Sequence, residues 1–189
     1  MLNRLFGNYL VEKQLLKQEQ LDDLLPVPKD LKAEVETIAV INKVISSATA
    51  QELLKQIDKS AERFGETAID AGYLTDEKLD EILTYQSNAF MKFVQELLNA
   101  NVLGMEQVNP LLDEFQQNGE FSDAQLSSLI HDDLEQCVNI FVPLKANRLK
   151  EFVLTMIRTI RRLIDCDAYL DKAYTAHSLQ LDKYACQTI

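Results

Sequence analysis

Apolar side chains along this chain recur every three or four residues between short polar turns, the period of helices that each bury one face. The clearest instance runs from Arg63 to Gln86. Phe64, Ala68 and Ile69 share a helical face, Gly72 suits the left-handed residue that closes a helix, and Thr75 suits the next N-cap. Asp76 and Glu77 then set negative charge at the positive end of the second helix. The pattern predicts an αα-hairpin that buries Phe64, Ala68, Ile69, Leu74, Leu79, Ile82 and Leu83 and turns Asp70, Glu77, Asp80 and Glu81 to solvent.

The apolar positions repeat. Phe6, Leu10, Val11, Leu15, Leu16, Leu21, Leu24 and Leu25 lie 58 residues before Phe64, Ala68, Ile69, Tyr73, Leu74, Leu79, Ile82 and Leu83. Half that offset, 29, lands on Val35, Ala39, Val40, Val44, Ile45, Ala50, Leu53 and Leu54, and one further step reaches Phe93, Leu97, Leu98, Val102, Leu103, Val108, Leu111 and Leu112. Helical periodicity alone fixes no spacing across connections, so four shared copies predict tandem hairpins in an all-α bundle or array. A shorter step of 47 puts Phe115, Gly119, Phe121, Ser122, Leu126, Leu129 and Ile130 on the same pattern, so that one helix serves two hairpins.

The turns are predicted to differ among copies. Gly72 and Gly119 are placed at left-handed positions, with Asn101 as a tolerant substitute, whereas Gln14 and Lys43 suit that conformation poorly and predict differently closed turns. Ser122 with Gln125, and Thr49 with Glu52, have capping-box spacing. Asn109-Pro110 reads as an N-cap and first turn, leaving Met105 to Val108 as a separate short turn. Pro26 to Asp30 breaks the chain before an amphipathic run from Leu31 to Ile45. Residues 1–138 therefore form the repeat region, and 148–189 a basic amphipathic helix and the start of a second, α/β domain, since Leu179 to Tyr184 alternates as a strand does. A helix followed by an unfinished strand reads as a fragment of a longer protein.

The Arg63–Gln86 motif, with Gly65, Gly72, Leu74, Thr75, Leu79 and Leu83 in place, resembles the repeat in the N-terminal domain of type II secretion and type IV pilus assembly ATPases. The resemblance spans Arg63 to Gln86 well and roughly the first 130 residues loosely. Some members of that family bind cyclic di-GMP through two consecutive intact motifs, which implies Arg63, Gly65, Gly72 and Gln86 as ligand-binding residues. The next copy has Lys92, Val94, Asn101 and Phe115 at those places; the first keeps Gly7 but has Gln14 and an Arg4 out of register, so a second half-site is missing. From about Arg148 onward the chain faintly resembles the start of CheX-like chemotaxis phosphatase domains, without their Glu-x-x-Asn on an exposed helix. That spacing occurs instead at Glu96 and Asn99, beside Leu97 and Leu98, which the repeat register buries.

Composition narrows the remaining chemistry. The 189 residues carry 30 acidic and 19 basic side chains, a net charge of −11, with 47% hydrophobic residues. This is an ordinary soluble, cytoplasmic balance without a signal peptide or membrane span. Cys137, Cys166 and Cys186 are too scattered for a disulfide framework, and neither His131 nor His177 has metal-site spacing with a cysteine. No phosphate loop, nucleophile elbow or paired metal ligands occur; catalytic residues, metal and cofactor are each expected to be none. Six basic residues and one acidic residue lie between Pro143 and Ile164. There Leu149, Phe152, Val153, Met156, Ile157, Ile160 and Ile164 form a helical stripe, with Arg158, Arg161 and Arg162 beside or opposite it. Two uses follow: a core-packed helix, or a docking surface for an acidic protein partner; the Phe152-Met156-Ile160 stripe is also what a homodimer would use. Nucleic acid is disfavoured by the overall negative charge. The expected function is a non-catalytic bacterial interaction module in signalling, chemotaxis or secretion/pilus systems. The alternatives are a cyclic di-GMP sensor and the N-terminal part of a CheX-like phosphatase.

Overall fold

The computed structural model describes residues 2–57, 62–142 and 147–164; the side chains of Glu62, Arg63 and Ile164, the Leu179–Tyr184 stretch and the CheX-like segment beyond Ile164 lie outside the described residues. Among the described residues the chain is helical, without a strand. The helices are α1 (Leu2–Glu12), α2 (Gln18–Leu24), α3 (Val35–Ile41), α4 (Ser47–Gln56), α5 (Glu62–Asp70), α6 (Asp76–Thr84), α7 (Ala89–Asn99), α8 (Met105–Asn118), α9 (Asp123–Ile130), α10 (Leu134–Phe141) and α11 (Asn147–Ile164). The chain divides into two units, 1–137 and 138–189, with the boundary inside α10.

In the first unit the helices pair into hairpins through one kind of turn. Gln14, Lys43, Gly72 and Asn101 have φ of 60°, 55°, 75° and 53°. Each donates its N–H to the carbonyl three residues back, and the following N–H reaches the carbonyl five back, as in Gly72 to Ile69 (2.8 Å) and Tyr73 to Ala68 (2.8 Å). The first two turns thus close as the third does, contrary to the expectation from Gln14 and Lys43. Two backbone hydrogen bonds and the packing of the hairpin outweigh the roughly 1–2 kcal/mol that a side chain costs in this conformation. At the end of α8 the left-handed residue is Glu120 (φ 53°), and Gly119 is right-handed at φ −85°. Gly119 is small for another reason: a Cβ there would sit 2.2 Å from the Phe121 ring.

The N-caps of the second helices are Lys17, Ser46, Thr75 and Gly104. Ser46 rather than Thr49 caps α4, accepting from the Thr49 N–H at 3.0 Å. Gly104 has no side chain to offer, so Gln107 reaches back and accepts its N–H at 2.8 Å. That start carries α8 straight through Pro110, and Asn109 is no cap: its Nδ2 donates to the Val40 carbonyl at 2.7 Å. Ser122 and Gln125 do form the expected capping box. The run expected from Leu31 begins its helix at Val35, with Glu34 extended as its N-cap and the Ala33 N–H donating to the Gln86 carbonyl (3.0 Å) instead of joining the helix.

The hairpins do not stack in chain order. α1 packs on α7 and α8, and α2 on α7; α7 and α8 pack on α3, and α8 on α4; α3 packs in turn on α5 and α6, and α4 on α5. The spatial order is therefore first, fourth, second, third, with α3 and α7 at the centre. Their composition fits that place: α3 is buried at every residue, and α7 buries Phe90 through Gln95 and Leu97. Phe6 meets Phe90 and Phe115 edge-on at 5.8 and 5.6 Å between ring centroids, joining the first and fourth hairpins.

Close helix approach explains two glycines. A Cβ on Gly7 would lie 2.3 Å from Leu21 Cδ1, and one on Gly65 would lie 2.7 Å from Leu79 Cδ1. The corresponding pairs in the other two hairpins are Glu36 with Ala50 and Val94 with Val108, so a small residue faces a large one with the order reversed, or two medium ones share the space.

In the second unit α11 buries Val153 and Ile157, Val138 and Val142 are also buried, and Lys150 Nζ donates to Asn139 Oδ1 at 2.9 Å.

Candidate functional site

Two surfaces hold the residues singled out from the sequence, one in each unit. In the first, the α5–α6 hairpin leaves a cleft of about 470 Å³ against the extended segment before α3. Val35, Gly65, Leu79 and Leu83 supply its apolar lining, with Ala33; Lys32, Glu34, Glu66 and Gln86 supply its polar groups. Gln86 is positioned by Ala33: its backbone carbonyl accepts the Ala33 N–H, and its Nε2 donates back to the Ala33 carbonyl at 3.3 Å. Leu79 lies across Gly65 and is half-buried, and Leu83 is 41% exposed.

The predicted burial of this hairpin is thus corrected at three residues. Phe64, Ala68, Leu74 and Ile82 are buried and the four named acids are exposed, but Ile69 and Leu79 are half-buried and Leu83 faces out. The third hairpin stands at one end of the stack, so one of its faces lacks a neighbouring hairpin. Leu112, at the Leu83 position of the fourth hairpin, is 3% exposed, whereas Leu54 at that position of the second is 37% exposed although that hairpin also lies between two others.

Of the four residues expected to hold a nucleotide, Gly65 and Gln86 line the cleft. Gly72 sits beyond the far end of α5, about 10 Å along the helix from Gly65, at φ 75° with open space around it. The Arg63 side chain is outside the described residues. Gly65, Gly72 and Gln86 each have a structural duty: close packing, a left-handed turn and a backbone clamp.

Beside the cleft, the start of α3 holds a polar cluster that the apolar pattern did not reveal. Glu34 N–H and Thr37 Oγ1 both donate to Gln95 Oε1, at 3.1 and 2.8 Å. Glu36 is 4% exposed, and its Oε2 lacks a hydrogen-bond partner. Burial, with the Glu34 carboxyl adding to it, pushes the Glu36 acid up to about 8, so it is protonated at neutrality. The signal was present: Glu36 falls 29 residues from both Gly7 and Gly65, a position where only tight packing explains the glycines.

The Glu96 and Asn99 pair is tied up locally. Asn99 donates to Glu96 Oε1 at 3.4 Å and accepts from Gln95 Nε2 at 3.1 Å, while Leu97 is buried and Leu98 half-buried. Among the described residues no group of three or more His, Cys, Asp or Glu side chains is placed to hold a metal ion. His131 instead lies against Tyr85, with ring centroids 4.7 Å apart, and Cys137 is buried.

The second surface is on α11, whose apolar stripe splits in two. Val153 and Ile157 are buried, whereas Leu149, Phe152, Met156 and Leu163 are 45%, 48%, 38% and 75% exposed. At about 100° per residue the exposed four fall within roughly 60° of arc, adjoining the buried face on one edge. Arg148 and Arg162 are exposed and lie along the other edge, whereas exposed Arg158 and half-buried Arg161 each fall about 150° from the centre of the row, on the far side of the helix. The helix therefore brings Arg162 to the side of the exposed row, leaves Arg158 and Arg161 away from it and adds Arg148, which sequence reasoning had not included.

Among the described residues no helix is long and apolar enough to cross a membrane. No protein-family model, curated protein or solved structure matches this chain.

Proposed function

We propose that this chain is a non-catalytic protein-interaction module that docks a protein partner through the exposed face of α11. The observation that carries the reading is the row Leu149, Phe152, Met156 and Leu163, left open on a helix whose adjacent face is buried. Exposing four large apolar side chains in line forgoes on the order of 1 kcal/mol or more each, a loss that a partner covering them would recover. The setting, bacterial signalling, chemotaxis or secretion, rests on the resemblance of Arg63–Gln86 to the assembly-ATPase repeat.

A cyclic di-GMP sensor is the second reading, favoured by Gly65 and Gln86 sharing one cleft. Against it, Glu34 and Glu66 stand at that cleft with Lys32 as the one cation among the described residues of its lining, which weakens the attraction for phosphates. Titration calorimetry should show no saturable cyclic di-GMP binding at tens of micromolar; binding that Gln86→Ala weakens would favour the sensor.

A photo-reactive residue in place of Phe152 or Met156 in the full chain tests the docking reading in cells. Crosslinks to another protein from both positions, and none from an exposed control at Gln117, are expected. Equal yields at all three, or none, would contradict it.

A further inference from the structure

Resting on α11 as the docking face, we infer that its occupant is an acidic amphipathic helix of a partner protein. The exposed side chains fall at Leu149, Phe152, Met156 and Leu163, intervals of three, four and seven residues, with Thr159 at the one polar place in the row. That is the spacing of a helix–helix seam, about 21 Å long at 1.5 Å per residue. A β-strand presents side chains every second residue and matches such a row poorly. A helix with apolar residues at the same intervals covers it from end to end.

Charge selects the kind of helix. Between Asn147 and Ile164 there are five basic residues and one acid, Glu151, and the two exposed arginines flanking the row are Arg148 and Arg162. Carboxylates flanking the partner's apolar seam would meet these guanidiniums at the rim, where pairing sets orientation and partner choice more than affinity. A second copy of α11 would bring arginines against arginines, which opposes homodimerisation through this face.

The test titrates the full chain with two labelled synthetic helices that share one leucine row and differ only in flanking residues, glutamate in one and lysine in the other. Vesicles of phosphatidylglycerol and phosphatidylcholine provide a third probe. The glutamate helix should bind at least about tenfold more tightly than the lysine helix, with the difference shrinking as salt is raised. Arg148→Glu with Arg162→Glu should reverse the preference, and Phe152→Ser with Met156→Ser should weaken the glutamate helix by at least about tenfold; all these side chains are exposed, and unchanged far-ultraviolet dichroism checks that the fold survives. Equal binding of both helices that still requires Phe152 and Met156 would overturn the acidic partner and leave the docking face standing. Binding indifferent to both double variants, or none to either helix, would overturn both, and binding to vesicles alone would replace the helix with a lipid surface.

Discussion

α7 and α11 are both rich in Phe, Met, Leu and Val, yet they spend these residues differently. Around α7 the first and second hairpins close from either side, leaving Phe90 at 2% exposure and Met91, Phe93, Val94 and Leu97 at none. On α11, Val153 and Ile157 are covered while Phe152 and Met156 stand about half open. Apolar side chains at helical spacing thus mark a face that wants covering; whether the chain covers it depends on how many elements arrive there. α7 is enclosed by the fold, and α11 keeps apolar surface open, which the proposed docking would cover.

The sharpest contrast between the two is in folding stability. Phe93→Ala should cost about 3–5 kcal/mol in urea unfolding, through lost burial and the cavity left behind. Phe152→Ala should stay within about 0.5 kcal/mol, and a larger loss would mean that α11 is core.

Next in size is a pH effect at the centre of the first unit. The Glu36 acid titrates at about 8 when folded, against 4.5 as its ordinary value. Between these values the folded chain holds a proton that the unfolded chain releases. Stability from this group is therefore full below about pH 4.5, falls by up to about 1.4 kcal/mol per pH unit as pH rises towards 8, and changes little above it. Glu36→Gln should flatten that slope in urea unfolding from pH 5 to 8.5, whereas a mutant profile as steep as the parent's would assign the slope elsewhere.

The turns give smaller differences. Gly72→Val should destabilise by about 1–2 kcal/mol, since a β-branched residue is strained at positive φ. Lys43→Gly, at the matching left-handed position, should stabilise by under about 1 kcal/mol, the relief of strain being offset by added freedom in the unfolded chain. Thermal unfolding of the two variants reads both signs.

Gly72, Thr75 and Ser122 made the hairpins legible because each carries its own turn or cap chemistry. Gln14, Lys43 and Glu120 carry none; the backbone bonds of the finished turn hold them left-handed, and Lys43 Nζ also pairs with Asp113 Oδ1 at 2.7 Å. Leu54, Leu83 and Leu112 occupy equivalent positions in their hairpins, so no local pattern separates the two exposed ones from the buried one; the neighbours each meets in the assembled bundle do. Of the candidate sites, the pairing of Gly65 with Gln86 was readable, but not the Ala33 segment that completes their cleft. In α11 the stripe was readable as a whole, but the division between Val153 and Phe152 was not, because both lie on one broad apolar arc.

Hydroxyl-radical footprinting of the full chain, alone and with the glutamate-flanked helix, tests the docking face most directly, because Phe and Met in α7 serve as internal standards. Phe152 and Met156 should be modified readily in the free chain while Phe90 and Met91 are spared, and the added helix should protect the first pair without changing the second. Met156 as protected as Met91 in the free chain, or as reactive with the helix present as without it, would contradict the account.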